Sequence, residues 1–104
     1  GSLSLDPEAS KAAGVRAREI QISFSHTRPD GRDFSTALSE AGASFRASGE
    51  NIAYGQRSAE HVMDVWMNSA GHRANILNPG YSRIGIGQVK DSRGVDHWVQ
   101  LFLN

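Results

Sequence analysis

The sequence predicts an α+β domain in which an antiparallel β-hairpin is covered by helices on both faces. Three observations lead there. An alanine-rich stripe near the N-terminus repeats at helical spacing, and two alternating segments near the C-terminus flank a glycine-containing turn. Those two segments carry apolar residues on both of their faces, which calls for cover on both sides of the sheet. The 104 residues, 38% hydrophobic and 21% charged, fit a single globular domain spanning 1–104 and burying roughly 65% of its unfolded surface.

Taken in order, Asp6-Pro7-Glu8 opens the first helix. Asp supplies an N-cap, Pro suits the first helical position, and Glu complements the positive dipole end. Ala9, Ala12, Ala13, Arg16/Ala17 and Ile20 then recur at three and four, predicting a helix over about 6–22 whose small side chains admit a close neighbour. Gly14 weakens it modestly. Residues 25–33 read as a loop turned by Arg28-Pro29-Asp30-Gly31. A short helix over 35–41 follows, stopped by Gly42. Ser44 to Ala47 alternate weakly, like an edge strand. Ser58 caps a third helix over 59–68, Gly71 interrupts it, and a last short helix runs over 72–77 before Asn78-Pro79-Gly80. Strands over 81–89 and 95–103 close the chain around Lys90-Asp91-Ser92-Arg93-Gly94. In the second strand Val95, His97, Val99 and Leu101 share one face, and Asp96, Trp98, Gln100 and Phe102 the other.

Eleven basic and eleven acidic residues cancel, so the basic excess of a nucleic-acid binder is missing. The densest basic pair, Arg16 and Arg18, reads as the solvated side of a helix. With no cysteine there is no disulfide, thiolate ligand or thiol nucleophile. No apolar run has the length of a membrane span, and no leader-like stretch is visible. Gly1-Ser2 reads as an expression scar, consistent with removal of an upstream signal.

Three residues carry chemistry in turn-like surroundings: His26, Glu50 and His72. His26 taken alone is more often a surface histidine. His72 opens a helix, where the dipole disfavours protonation and leaves a neutral imidazole able to act as ligand or base. Glu50, between Gly49 and Asn51, suits either fixing a loop or orienting a histidine. Their separations exceed twenty residues, so no local metal motif joins them. Glu60 reads as a helix-dipole acid and His61 as solvated; His97 alternates with core residues, and Trp66 and Trp98 read as core anchors. Ser25 and Ser69 lack the glycine pattern of a nucleophile elbow.

Gly49-Glu50-Asn51-Ile52-Ala53-Tyr54-Gly55, Trp66-Met67-Asn68-Ser69, Gly71-His72-Arg73-Ala74-Asn75-Ile76-Leu77-Asn78-Pro79 and Ile84-Gly85-Ile86-Gly87 occur in that order. Upstream stand Leu5-Asp6-Pro7, Ala12-Ala13, Phe24-Ser25-His26-Thr27 and Pro29-Asp30-Gly31. The set resembles the bacterial, SCP-like branch of the CAP superfamily, named for cysteine-rich secretory proteins, antigen 5 and pathogenesis-related 1 proteins. The resemblance implies an α-β-α sandwich with a small antiparallel sheet, export from the cell, and a cleft of two histidines and two acids that holds a divalent ion in several members. It assigns His26 and His72 to the histidines and Glu50 to one acid, with zinc the expected ion and no organic cofactor. The second acid falls at Ser69 here. The family's opening helix has no counterpart, which implies an N-terminally truncated domain.

Two functions follow as expectations. One is a secreted, non-enzymatic binding module whose His/Glu cleft takes a divalent metal, a small ligand or an extracellular protein. The other is a metal-assisted hydrolase, a protease or cell-wall enzyme, using His26, His72 and Glu50 with Glu50 as base. A purely structural polar network joining the loops is the third account of the same residues.

Overall fold

The computed structural model describes residues 2–104. Its eight elements are β1 (Ser4–Leu5), α1 (Pro7–Glu19), α2 (Ser35–Glu40), β2 (Ser48–Tyr54), α3 (Ala59–Met67), α4 (Ala70–Leu77), β3 (Arg83–Lys90) and β4 (Asp96–Leu103). The strands form one sheet in the order β1-β3-β4-β2. The hairpin β3–β4 is antiparallel, as expected, and the pair β2–β4 is antiparallel as well. The two-residue β1 adds a parallel pairing on β3, so the sheet is mixed at that edge.

Helices lie on both faces. On one, α1 and α2 bury Ala9, Ala12, Ala13, Ala17 and Leu38 against Ile52, Val99, Leu101 and Leu103. On the other, Val62 and Trp66 of α3, with Ile76 of α4, pack on Ala53 and Trp98. Both predicted faces of β4 are thus occupied, and every residue of that strand is buried. The alanine stripe finds its partner in Gly85 and Gly87 of β3: a Cβ at either position would overlap the backbone of Ala9 or Ala13. Small residues on both sides let helix and sheet backbones touch.

Cap chemistry sets the boundaries. Asp6 Oδ2 accepts from Ala9 N at 2.9 Å, with Pro7 at the first helical position. Ser58 Oγ accepts from His61 N at 3.1 Å. Gly94, at φ 80°, closes the β3–β4 turn in the left-handed region that glycine tolerates best. Four expectations shift. Helix α1 stops at Glu19, three residues early, because the chain turns at Ile20. Ser44 to Ala47 form no strand, and the edge strand begins at Ser48. Gly71 interrupts nothing: α3 ends at Met67, Ser69 is the N-cap of α4, and Gly71 lies inside α4. Arg16 is no solvated residue; its side chain is 0% exposed.

Candidate functional site

The reason for burying Arg16 is Glu50. Glu50 lies on the α1 face of β2, and its side chain is also fully buried. Arg16 Nε donates to Glu50 Oε2 at 2.7 Å, and Nη2 to Oε1 at 3.1 Å, a two-pronged contact. The remaining guanidinium donors reach Ser25 O at 2.6 Å and Glu19 Oε1 at 3.0 Å. Burial alone would lower the Arg16 pKa, but the hydrogen bonds and charges of Glu50 and then Glu19 together outweigh it and hold it above the ordinary value.

This pair places His26. Its Nδ1 lies 2.8 Å from Glu50 Oε1. A carboxylate only accepts, so Nδ1 carries the proton, and Nε2 is left without a partner among the described residues on a side chain 58% exposed. A second arginine secures the loop. Arg28, nearly buried, contacts Glu19 at 2.9 Å and Glu40 at 2.9 Å, and donates to Thr36 Oγ1 at 2.9 Å. Burial raises the Glu19 pKa, yet the Arg28 and Arg16 guanidiniums more than reverse this and leave it below the usual range. The loop between α1 and α2 is thereby tied down at Ser25 and Arg28, on either side of His26.

His72 reaches the site from the other face. It is the third residue of α4, and its Nδ1 lies 2.9 Å from Ser69 Oγ. Ser69 occupies the N-cap position without a side-chain capping bond, so its hydroxyl serves His72 instead. A chain of amides fixes α4 to β2: Asn51 Nδ2 donates to His72 O at 3.1 Å and to Gln100 Oε1 at 3.1 Å, while Asn75 Nδ2 donates to Asn51 Oδ1 at 2.9 Å and to Glu50 O at 3.3 Å. Burial, and after it the neighbouring His26 imidazole, pushes the His72 pKa below its ordinary value. The two imidazoles, from opposite helical layers, lie near enough for the charge of His26 to act on His72. Each is held through Nδ1, and neither Nε2 has a hydrogen-bond partner among the described residues.

The model of the cysteine-rich secretory protein family, CAP, matches residues 1–102. The chain belongs to the CAP family. It is 37% identical over 103 residues to the uncharacterized protein YkwD of Bacillus subtilis (strain 168), covering 97% of this chain and 39% of that one. It thus spans about two fifths of that relative. An extracellular protein containing an SCP domain from Bacillus anthracis (strain Ames) superposes with a TM-score of 0.88 at 28% identity, over 98% of this chain and 33% of that one. An outer surface protein from Borrelia burgdorferi gives 0.88 at 24% identity, over 100% and 78%, which bears on the fold alone. The α-β-α architecture is that of the CAP domain. Among the described residues no helix is long and apolar enough to cross a membrane.

In this CAP domain the expected triad does not assemble as three ligands. Among the described residues no group of three or more His, Cys, Asp or Glu side chains is arranged to hold a metal. Glu50 does not fit as a direct ligand, because both of its oxygens already accept hydrogen bonds and the side chain is sealed from solvent. What fits is an outer role, orienting His26. Ser69 takes the matching role for His72. His97 is buried, as the alternation predicts, and His61 is exposed. Sequence reasoning missed Arg16, Arg28 and Asn51. Arg16 carried a usable signal, since it occupies a position of the apolar stripe.

Proposed function

We propose that this CAP domain is an exported bacterial binding module without catalytic activity, whose cleft engages its ligand through the Nε2 atoms of His26 and His72. The observation that carries the reading is the pinning of both imidazoles through Nδ1, by Glu50 and by Ser69. That arrangement orients two nitrogen donors without committing them to the protein. Two imidazoles suit zinc, with the remaining positions left to water or to the ligand itself. The extracellular character of the solved relative supports export. A hydrolase would need Glu50 as a base in contact with water. Its commitments to Arg16 and His26 speak against that use.

Calorimetric titration with zinc chloride tests the proposal. The wild type is expected to bind one ion per chain, and His26→Ala with His72→Ala to abolish the heat while the domain stays folded. Absence of zinc binding by the wild type, or equal binding by the double variant, overturns the two-imidazole site.

A further inference from the structure

Away from the two cleft histidines, a cavity of about 360 Å³ opens among the C-terminal end of α1, the segment after it, the end of β2 and the β3–β4 turn. Its size falls within the range of small-molecule sites. The floor is aromatic. Phe24 and Tyr54 meet edge to face with ring centroids 4.9 Å apart, and Tyr54 stacks on His97 at 5.8 Å and 19°. Phe24 and Tyr54 nonetheless remain 50% and 55% exposed. Rings of this size gain most when their apolar surface is covered, so the floor is available to a ligand.

The rim is polar, and several of its groups have free hydrogen-bonding capacity. Asp91 Oδ1 accepts from Arg93 N at 2.8 Å and from Val95 N at 3.0 Å, which leaves Oδ2 without a partner among the described residues. Among the described residues the Arg93 guanidinium enters no ion pair and the Gln21 side-chain amide no hydrogen bond. His97 Nδ1 lies 3.1 Å from Val95 O. A carbonyl only accepts, so Nδ1 carries a proton, and Nε2 has no hydrogen-bond partner among the described residues.

The pocket therefore sets a carboxylate, a guanidinium, an amide and an imidazole edge around an apolar floor, and the formal charges of Asp91 and Arg93 cancel. A fatty chain leaves such a rim unsatisfied. An anion faces Asp91, and a cation faces Arg93. A neutral molecule with one apolar face, edged by groups that both donate and accept, satisfies every part. A pyranose ring is built that way: C–H bonds on a face, hydroxyls around the perimeter. We propose that this pocket binds a saccharide unit, its C–H face on Tyr54 and Phe24 and its hydroxyls on Asp91, Gln21 and Arg93.

The test is ¹H–¹⁵N NMR of the whole chain, titrated separately with cellotriose, maltotriose, chitotriose and the dipeptide Gly-Phe at up to tens of millimolar. The dipeptide is the competitor, since its two charges would pair with Asp91 and Arg93. At least one trisaccharide is expected to give saturable shifts at the amides of Phe24, Tyr54, Arg93 and Val95. Tyr54→Leu, which keeps an apolar side chain, and Asp91→Asn, which keeps the turn's Oδ1 acceptor, are each expected to weaken that binding about tenfold or more. No saturable shift with any of the three sugars overturns the proposal. So does a response to Gly-Phe alone, or sugar binding that both variants leave unchanged.

Discussion

The two histidines of the cleft are supported in opposite ways. His26 leans on a buried charge pair, Glu50 with Arg16, which Glu19 and Arg28 extend toward the surface. His72 leans on a serine hydroxyl, in an eight-residue helix with no fully buried residue, and the side chains that hold that helix to β2 are neutral amides. Losing one member of a buried ion pair strands the other charge in a medium of low dielectric. Losing a neutral hydroxyl leaves a partly exposed imidazole that water can serve. The two arms of the cleft therefore hold similar donors on unequal foundations: the His26 arm belongs to the core, and the His72 arm is attached to it.

The sharpest way to break this contrast is Glu50→Leu, which strands the Arg16 guanidinium. The expected loss is about 3–5 kcal/mol, which lowers the melting temperature by roughly 15 °C or more in a domain of this size. Calorimetry reads this directly. Pairing it with Arg16→Met should return most of the loss, because apolar residues of similar volume replace a buried ion pair at little cost; a double variant as unstable as the single one would contradict the account. Ser69→Ala is expected to cost less than about 1 kcal/mol, measured by urea unfolding, and a loss matching that of Glu50→Leu would erase the asymmetry.

The smallest expected effect is on pH. His72 titrates below its ordinary value in the fold, chiefly through burial and then through His26. Protonation is thus easier in the unfolded chain. The resulting stability is complete above the unfolded value and is lost as pH falls through the lower folded one. Unfolding free energies of the wild type should decline on acidification below about pH 6.5 more steeply than those of His72→Gln.

What the sequence disclosed follows the range of the interaction. The caps Asp6 and Ser58 were legible because each acts three residues away. Alanines spaced along α1 foretold a close neighbour, though not that Gly85 and Gly87 supply it. Arg16 was misread because a charge suggests solvent, whereas its partner lies 34 residues on, in another element. Strand β2 was obscured for a related reason: Gly49, Glu50 and Asn51 are buried though none is apolar, so the alternation that marks a strand is absent. At two residues, β1 is too short to show any period and exists through its pairing with Arg83 and Ile84. His26 and His72 were picked out by the ordered motifs of a family. Their spacing alone joined them to nothing.

The central claim is that Glu50 braces His26 while both Nε2 atoms face the ligand. Long-range ¹H–¹⁵N NMR of the imidazoles during a zinc titration tests it most directly. The account predicts a proton on His26 Nδ1 throughout, with the Nε2 resonances of His26 and His72 moving together as zinc is added. A His26 protonated on Nε2 alone, or zinc that moves only His61 or His97, would contradict it.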